Sequence, residues 1–323
     1  MTSKQLDLCF VCDCTGSMGS YLAAAKENIN SIITDIVHAE STDVRFALIQ
    51  YRDHPPEDRS FVVQSSPFTT SLDEMSSFVS SLKADGGGDT PEAVTDGLFA
   101  ALSLPWRDAA AKVICLIADA PPHGLMHTGD GFPKGCPCEK DPLQVTKEIA
   151  SKGIVIYAVG AEPGLSQSCP LSRDFMRAIA EITTGLFLPL ANAKMLAKVI
   201  VAGAVEQIQL REVLKGIAEE VRELKLKRNV TDEEAQKFVE KKVQEANIQT
   251  IQIALDDVYD GKLGTLNTAW LQYSLITDVR DKLMPASAPH LDPSFTASAA
   301  PHPAPSFTAA AAAPHPVTRG GDD

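Results

Sequence analysis

The sequence predicts an α/β fold: a doubly wound, mostly parallel central sheet flanked by helices, followed by a helical extension and a disordered tail. Three observations predict it. Five apolar runs, often β-branched and not alternating with polar residues, read as strands buried on both faces. Helical patterns with recognisable caps separate these runs. The alternation of strand and helix holds over residues 1–205 and then gives way to charged amphipathic sequence.

The first strand is LDLCFVC (6–12), followed by a helix over 20–39 that puts Leu22, Ala25, Ile29, Ile32, Ile33 and Ile36 on one face. VRFALIQY (44–51) is the second strand, and the shorter FVVQ (61–64) is an edge strand, third in chain order. Ser71 and Glu74 make a capping box for the next helix. Thr90 followed by Pro91 reads as a cap with proline in the first turn of a third helix. KVICLIA (112–118), GIVIYAVG (153–160) and GLFLPL (185–190) complete the strands. Cys9 and Cys12 lie on opposite faces of the first strand, which makes core cysteines of them.

Residues 206–284 form the predicted extension. One long helix from about 193 carries Leu210, Leu214, Ile217, Val221 and Leu224 as a stripe, and a second opens on Thr231 and Glu234. The segment to Leu283 is expected to be helical, with WLQYSLI open to reading as a strand. Residues 285–323 contain PSFTASAAPHP and a near repeat, too poor in large apolar groups to form a core, and are expected to be disordered.

A formal charge of −13 disfavours nucleic-acid binding and adsorption to an anionic membrane. No secretory leader or membrane-spanning run is evident, and seven cysteines suit free thiols in a reducing compartment, so the expected location is cytoplasmic.

Ligands of an open parallel sheet sit at the carboxyl ends of its strands. Asp13 follows the first strand and leads into a glycine-containing turn with Thr15 and Ser17. Asp119 follows the fourth, and GGGDTPE brings Thr90 behind three glycines. Two carboxylates and three hydroxyls are a hard oxygen set, suited to Mg²⁺ or Mn²⁺ rather than zinc or copper. Each also has a bland reading: Thr90 and Ser17 as helix caps, Asp13 and Asp119 as acceptors for orphan amides.

The order Asp13-x-Thr15-x-Ser17, then Thr90, then Asp119 resembles the metal-ion-dependent adhesion site of von Willebrand factor type A domains, with threonine where serine is usual at the first hydroxyl. The wider wording, DCTGSM, YRD, GGGDTPEAV and IADAPPHG, is similar to the intracellular members found beside alpha-type protein kinases. The resemblance covers about residues 5–205. It implies that Thr15, Ser17 and Thr90 bind the metal directly, with Asp13 and Asp119 acting largely through waters. It also implies that the ion recruits a Glu or Asp carboxylate from a partner protein. Asp53 and Asp89 are candidate supporting residues outside the ligand set.

His123, His127, Cys136 and Cys138 crowd one loop and are zinc candidates, against an ordinary thiol-containing loop. No nucleophile elbow or nucleotide-phosphate loop is present, so a non-enzymatic role is expected. The resulting expectation is a metal-dependent protein-binding module for scaffolding or assembly. Two alternatives stand beside it: an accessory or remnant of an alpha-kinase system regulating phosphorylation, and a self-associating structural protein with an idle metal site.

Overall fold

The computed structural model describes residues 4–38, 42–204 and 265–286, with a few helical positions between 216 and 242. Six strands form one sheet in the order β3-β2-β1-β4-β5-β6. They are β1 (Lys4–Asp13), β2 (Thr42–Tyr51), β3 (Val63–Ser65), β4 (Ala111–Ala118), β5 (Ile154–Gly160) and β6 (Phe187–Pro189). All pairings are parallel except that of the edge strand β3 with β2. The chain winds outward from β1 to β2 on one side and to β4 on the other. The crevice between the ends of β1 and β4 is therefore the topological switch point, where such sheets place their ligands.

Parallel strands covered on both faces explain the continuous apolar runs. On one face, Leu6, Leu8, Phe10 and Cys12 pack against α1 (Leu22–His38) and α2 (Leu72–Ser81), together with Leu196 and Ile200 of a helical stretch over 196–204. On the other, Cys9 and Val11 meet α3 (Val94–Leu102), α4 (Pro142–Ser151) and α6 (Ser172–Ile182). The predicted stripe of α1, from Leu22 to Ile36, is buried throughout. Burial of each such aliphatic side chain stabilises the fold by about 1.5–3 kcal/mol. The short α5 (Gly164–Ser168) precedes α6.

Two starting points differ from expectation. Ser71 accepts from the Glu74 amide as a cap should, but the Glu74 carboxylate takes the Thr69 hydroxyl rather than closing the box. The third helix begins at Val94, not at Thr90. The intervening residues are held by neighbours instead: the Glu92 amide donates to Pro121 O at 2.9 Å and that of Ala93 to Arg52 O at 2.9 Å.

Residues 269–276 contain no strand. α7 (Ala269–Gln272) and α8 (Ile276–Leu283) pack on the α3 side of the sheet, with Trp270, Ile276 and Val279 buried in that core. Arg280 reaches the carbonyls of Gly124, Met126 and Pro133 at 3.1, 3.3 and 2.5 Å, so α8 fastens the loop that follows β4. Most of the predicted long helices over 193–246, and the tail from 287 onward, lie outside the described residues. Among the described residues no helix is long and apolar enough to cross a membrane.

Candidate metal centre

β1 delivers Asp13 to the rim as its last residue, fully buried. The chain turns there because the Asp13 carboxylate accepts both the Thr15 amide, at 2.9 Å, and the Thr15 hydroxyl, at 2.6 Å, from Oδ1. A short 3₁₀ turn, Gly16–Ser20, then swings Ser17 toward the next strand end. Ser17 Oγ donates to Asp119 Oδ1 at 2.9 Å, just beyond β4. Each hydroxyl has one proton, and both are directed at carboxylates. The Thr15 and Ser17 oxygens stand 3.1 Å apart, within hydrogen-bond reach of one another. Octahedral Mg²⁺ at about 2.1 Å spaces neighbouring ligand oxygens by about 3.0 Å. The donor set and this spacing fit a hard divalent cation.

The glycine loop completes the rim. Gly16 N bonds Gly86 O at 2.9 Å, and Asp85 N bonds Cys14 O at 3.1 Å. Gly87 has φ of 76°, and a Cβ there would stand 2.6 Å from Glu92 Oε1 and 3.3 Å from Thr15 Cβ, so only glycine brings this backbone so close. Thr90 lies on the adjoining segment. Its amide meets Gly129 O at 3.3 Å, and with the helix starting later its hydroxyl is not committed to a cap.

The electrostatics are lopsided. Burial and the neighbouring Asp119 raise Asp13 to about 7. Burial likewise pushes Asp119 up, against the Ser17 hydrogen bond. Glu92, buried amid Asp13, Asp53, Asp89 and Asp119, is pushed up to about 11, and its Oε2 has no hydrogen-bond partner. No arginine or lysine among the described residues pairs with Asp13 or Asp119. A buried group of carboxyls lacking a counter-charge is relieved by a bound cation.

Asp53 and Asp89 sit beside this rim. Asp53 Oδ1 accepts its neighbour His54's amide at 2.6 Å and meets His123 Nε2 at 2.7 Å. Asp89 accepts from the Gly131 amide, and burial with the nearby Asp53 raises it to about 6.

The four zinc candidates are divided by the fold. His123 is wedged between Asp53 and Asp130, 2.7 and 2.9 Å away. Burial works against its charge, but the hydrogen bonds to Asp130 and Asp53 prevail and raise it to about 9. Both of its ring nitrogens are engaged by carboxylates, and the groups that could share a metal with it are Asp53 and Asp89, not His127 or the cysteines. His127 Nε2 turns to Met284 O at 2.8 Å. Cys136 and Cys138 are instead grouped with His54 and Asp96, two residues the sequence did not suggest. Tyr51, whose hydroxyl reaches Asp13 Oδ2 at 3.4 Å, was also missed, although it ends β2 directly beside Asp13 in register.

Residues 7–127 match the family model described as von Willebrand factor A domain. A putative ariadne-like RING finger protein of Acanthamoeba polyphaga mimivirus is 29% identical over 201 residues, which is 60% of this chain and 19% of that protein. The alpha-protein kinase vwkA of Dictyostelium discoideum is 36% identical over 138 residues, 42% of this chain and 22% of that kinase. The chain thus spans about a fifth of the length of these curated relatives. Among solved structures, the Lactobacillus rhamnosus GG pilus adhesin SpaC in its open conformation aligns with a TM-score of 0.46 at 15% identity, over 65% of this chain and 30% of that one. A von Willebrand factor type A structure from Catenulispora acidiphila aligns with a TM-score of 0.42 at 14% identity, over 64% and 43%.

Proposed function

The chain carries a von Willebrand factor A domain, and on that premise we propose that it is a Mg²⁺- or Mn²⁺-dependent protein-binding module that captures an acidic side chain of a partner. The supporting observation is a contrast within β1. Asp7 and Asp13 are both fully buried on this strand. Asp7 is matched by two arginines, Arg45 at 2.6 Å and Arg107 at 2.7 Å. Asp13, at the ligand end, has hydroxyls and a second carboxyl around it and, among the described residues, no cationic side chain. That one buried acid of the strand has two cationic partners and the other has none supports a positive ion at the ligand end.

Thr15, Ser17 and Thr90 would hold the ion directly, with Asp13 and Asp119 supporting it. A bound ion supplies Lewis acidity toward an incoming carboxylate. The residues do the rest. Asp13 orients the Thr15 hydroxyl, Asp119 orients that of Ser17, and both hydroxyl protons are drawn away from the binding face. Because the hydroxyl oxygens are neutral, the direct ligands leave the ion's charge uncancelled, and the ion would favour an acid. A scaffolding or assembly role follows from this kind of capture.

The test is calorimetric titration of Mg²⁺ and Mn²⁺ into the EDTA-stripped chain, with and without glutamate. Saturable binding, lost in Asp13→Ala and Asp119→Ala with the fold intact, is expected. Binding unaffected by either variant, or none in the unmutated chain, rejects the reading. The similarity to part of an alpha-protein kinase favours, as a second reading, a role beside such a kinase. Specific retention of a purified alpha-kinase domain by the immobilised chain would support it.

A further inference from the structure

The cysteines of the loop after β4 have a different set of companions from the metal rim. His54 follows β2 by three residues, Asp96 stands in the first turn of α3, and Cys136 and Cys138 lie in the long loop before α4. One ligand atom from each lies within 4.8 Å of every other. His54 Nε2 is 2.9 Å from Asp96 Oδ2, and Cys136 Sγ is 3.0 Å from the same oxygen and 3.6 Å from His54 Nε2.

We propose that His54, Asp96, Cys136 and Cys138 form a tetrahedral Zn²⁺ site. The donor set is two sulfurs, one imidazole nitrogen and one carboxylate oxygen, all of them established zinc ligands and together too soft for Mg²⁺. Tetrahedral zinc with bonds of about 2.3 Å to sulfur and about 2.05 Å to nitrogen has a sulfur–nitrogen edge of about 3.5 Å. The Cys136–His54 separation of 3.6 Å matches that edge. The two oxygen contacts are shorter than tetrahedral edges, as hydrogen bonds between uncoordinated ligands should be.

The surroundings suit the metal as well. The Cys138 amide donates to Cys136 Sγ at 3.3 Å, an arrangement that stabilises a ligating thiolate. Cys136 and Cys138 are joined in a tight turn closed by Glu139 N to Cys136 O at 3.0 Å, with Gly135 and Glu139 at positive φ on either side. Two thiolates and a carboxylate around Zn²⁺ leave one net negative charge. Lys140 stands 3.5 Å from Asp96 Oδ1, its ammonium over the Phe99 ring at 4.5 Å, placed to offset that charge.

A hydrogen-bonded polar cluster without metal is the competing account. It explains Cys136, His54 and Asp96, but gives no reason for a second, exposed cysteine to converge on the same point.

The site has a consequence for the rim. Zinc would tie the end of β2, the start of α3 and the loop after β4 to one atom. Asp53 and Asp119 sit at the roots of two of those segments. The site is independent of the carboxylate-capturing centre, which shares none of its ligands.

The test uses the full chain. Metal content after exhaustive dialysis is measured by mass spectrometry. The chelator-stripped protein is then titrated with Zn²⁺ and with Co²⁺, whose thiolate charge-transfer and tetrahedral ligand-field bands report the ligands. About one equivalent of tightly held Zn²⁺ is expected, together with those bands, both unchanged in Asp119→Ala. Cys138→Ser alters an exposed side chain and should keep the fold while lowering Zn²⁺ affinity at least about 10-fold. Cys136→Ser combined with Cys138→Ser should abolish the charge-transfer band. Absence of that band in the unmutated chain, or its persistence in the double variant, overturns the assignment.

Discussion

Ser17 Oγ donates to Asp119 Oδ1 at 2.9 Å and so joins the ends of β1 and β4 across 102 residues of sequence. The bond closes the rim and directs the Ser17 proton at Asp119. Ser17→Ala should reduce Mg²⁺ affinity about 10–100-fold and stability by only about 0.5–1.5 kcal/mol, because Ser17 is exposed. Calorimetry and urea unfolding on one preparation separate the two effects. Equal Mg²⁺ affinity in both proteins would remove Ser17 from the site.

His123 makes stability depend on alkaline pH. Asp53, Asp130 and the nearby Asp89 face it, and its folded value of about 9 lies above the ordinary 6.5. A group raised on folding contributes fully below its unfolded value, and the contribution fades as pH climbs through its folded one. The protein should therefore lose on the order of 2–3 kcal/mol between pH 6.5 and pH 9.5 from this residue. Histidine NMR titration, assigned with His123→Gln, should show a midpoint near 9. A midpoint near 6.5 would refute the buried imidazolium.

Gly97 allows α3 to lie directly on the sheet. A Cβ there would stand 2.7 Å from Tyr51 Cδ1 and 3.0 Å from Val11 Cγ1. Gly97→Ala should destabilise by about 1–3 kcal/mol through overpacking, although alanine is favoured over glycine in a helix by about 1 kcal/mol. It should also weaken Mg²⁺ binding, since Tyr51 is bonded to Asp13. An unchanged or raised midpoint in urea would show that the interface can yield.

Arg280 supplies donors to three loop carbonyls from a largely buried guanidinium. Arg280→Ala should cost about 2–4 kcal/mol and expose the 124–135 loop to protease at an early stage. Cleavage sites confined to other segments would contradict its role as the anchor.

The parallel strands were legible because each contains a continuous apolar run, whereas the edge strand β3, VQS, lies at 63–65 rather than 61–64 and is largely exposed. Asp13 and Asp119 stood out because an acid ends or follows two of those runs. Ser17 was legible by its spacing from Asp13. Thr90-Pro91 has the composition of a helix start, but the backbone pairing of Glu92 with Pro121 and of Ala93 with Arg52 holds those residues out of the helix. Local pattern carries no information about such a long-range contact. His54 and Asp96 were invisible as partners of Cys136 for the same reason: three elements far apart in sequence meet only in the folded domain. His123 and His127 were chosen by closeness along the loop, yet the loop turns one toward Asp53 and Asp130 and the other toward Met284.

The docking of α7 and α8 on the α3 side of the sheet has a consequence for the order of events during synthesis. Asp141 Oδ2 accepts the Ile276 amide at 2.7 Å, Lys147 meets Tyr273 O at 3.0 Å, and Arg280 grips the loop that carries His123. These partners leave the ribosome more than a hundred residues apart. The sheet can be assembled once β6 has emerged, but the loop beside the metal rim must wait for residues 269–283 before it is fastened. A nascent chain thus acquires its scaffold first and the fastened loop beside the rim late, so that under the proposed function a partner would be captured only once translation of the domain is nearly complete.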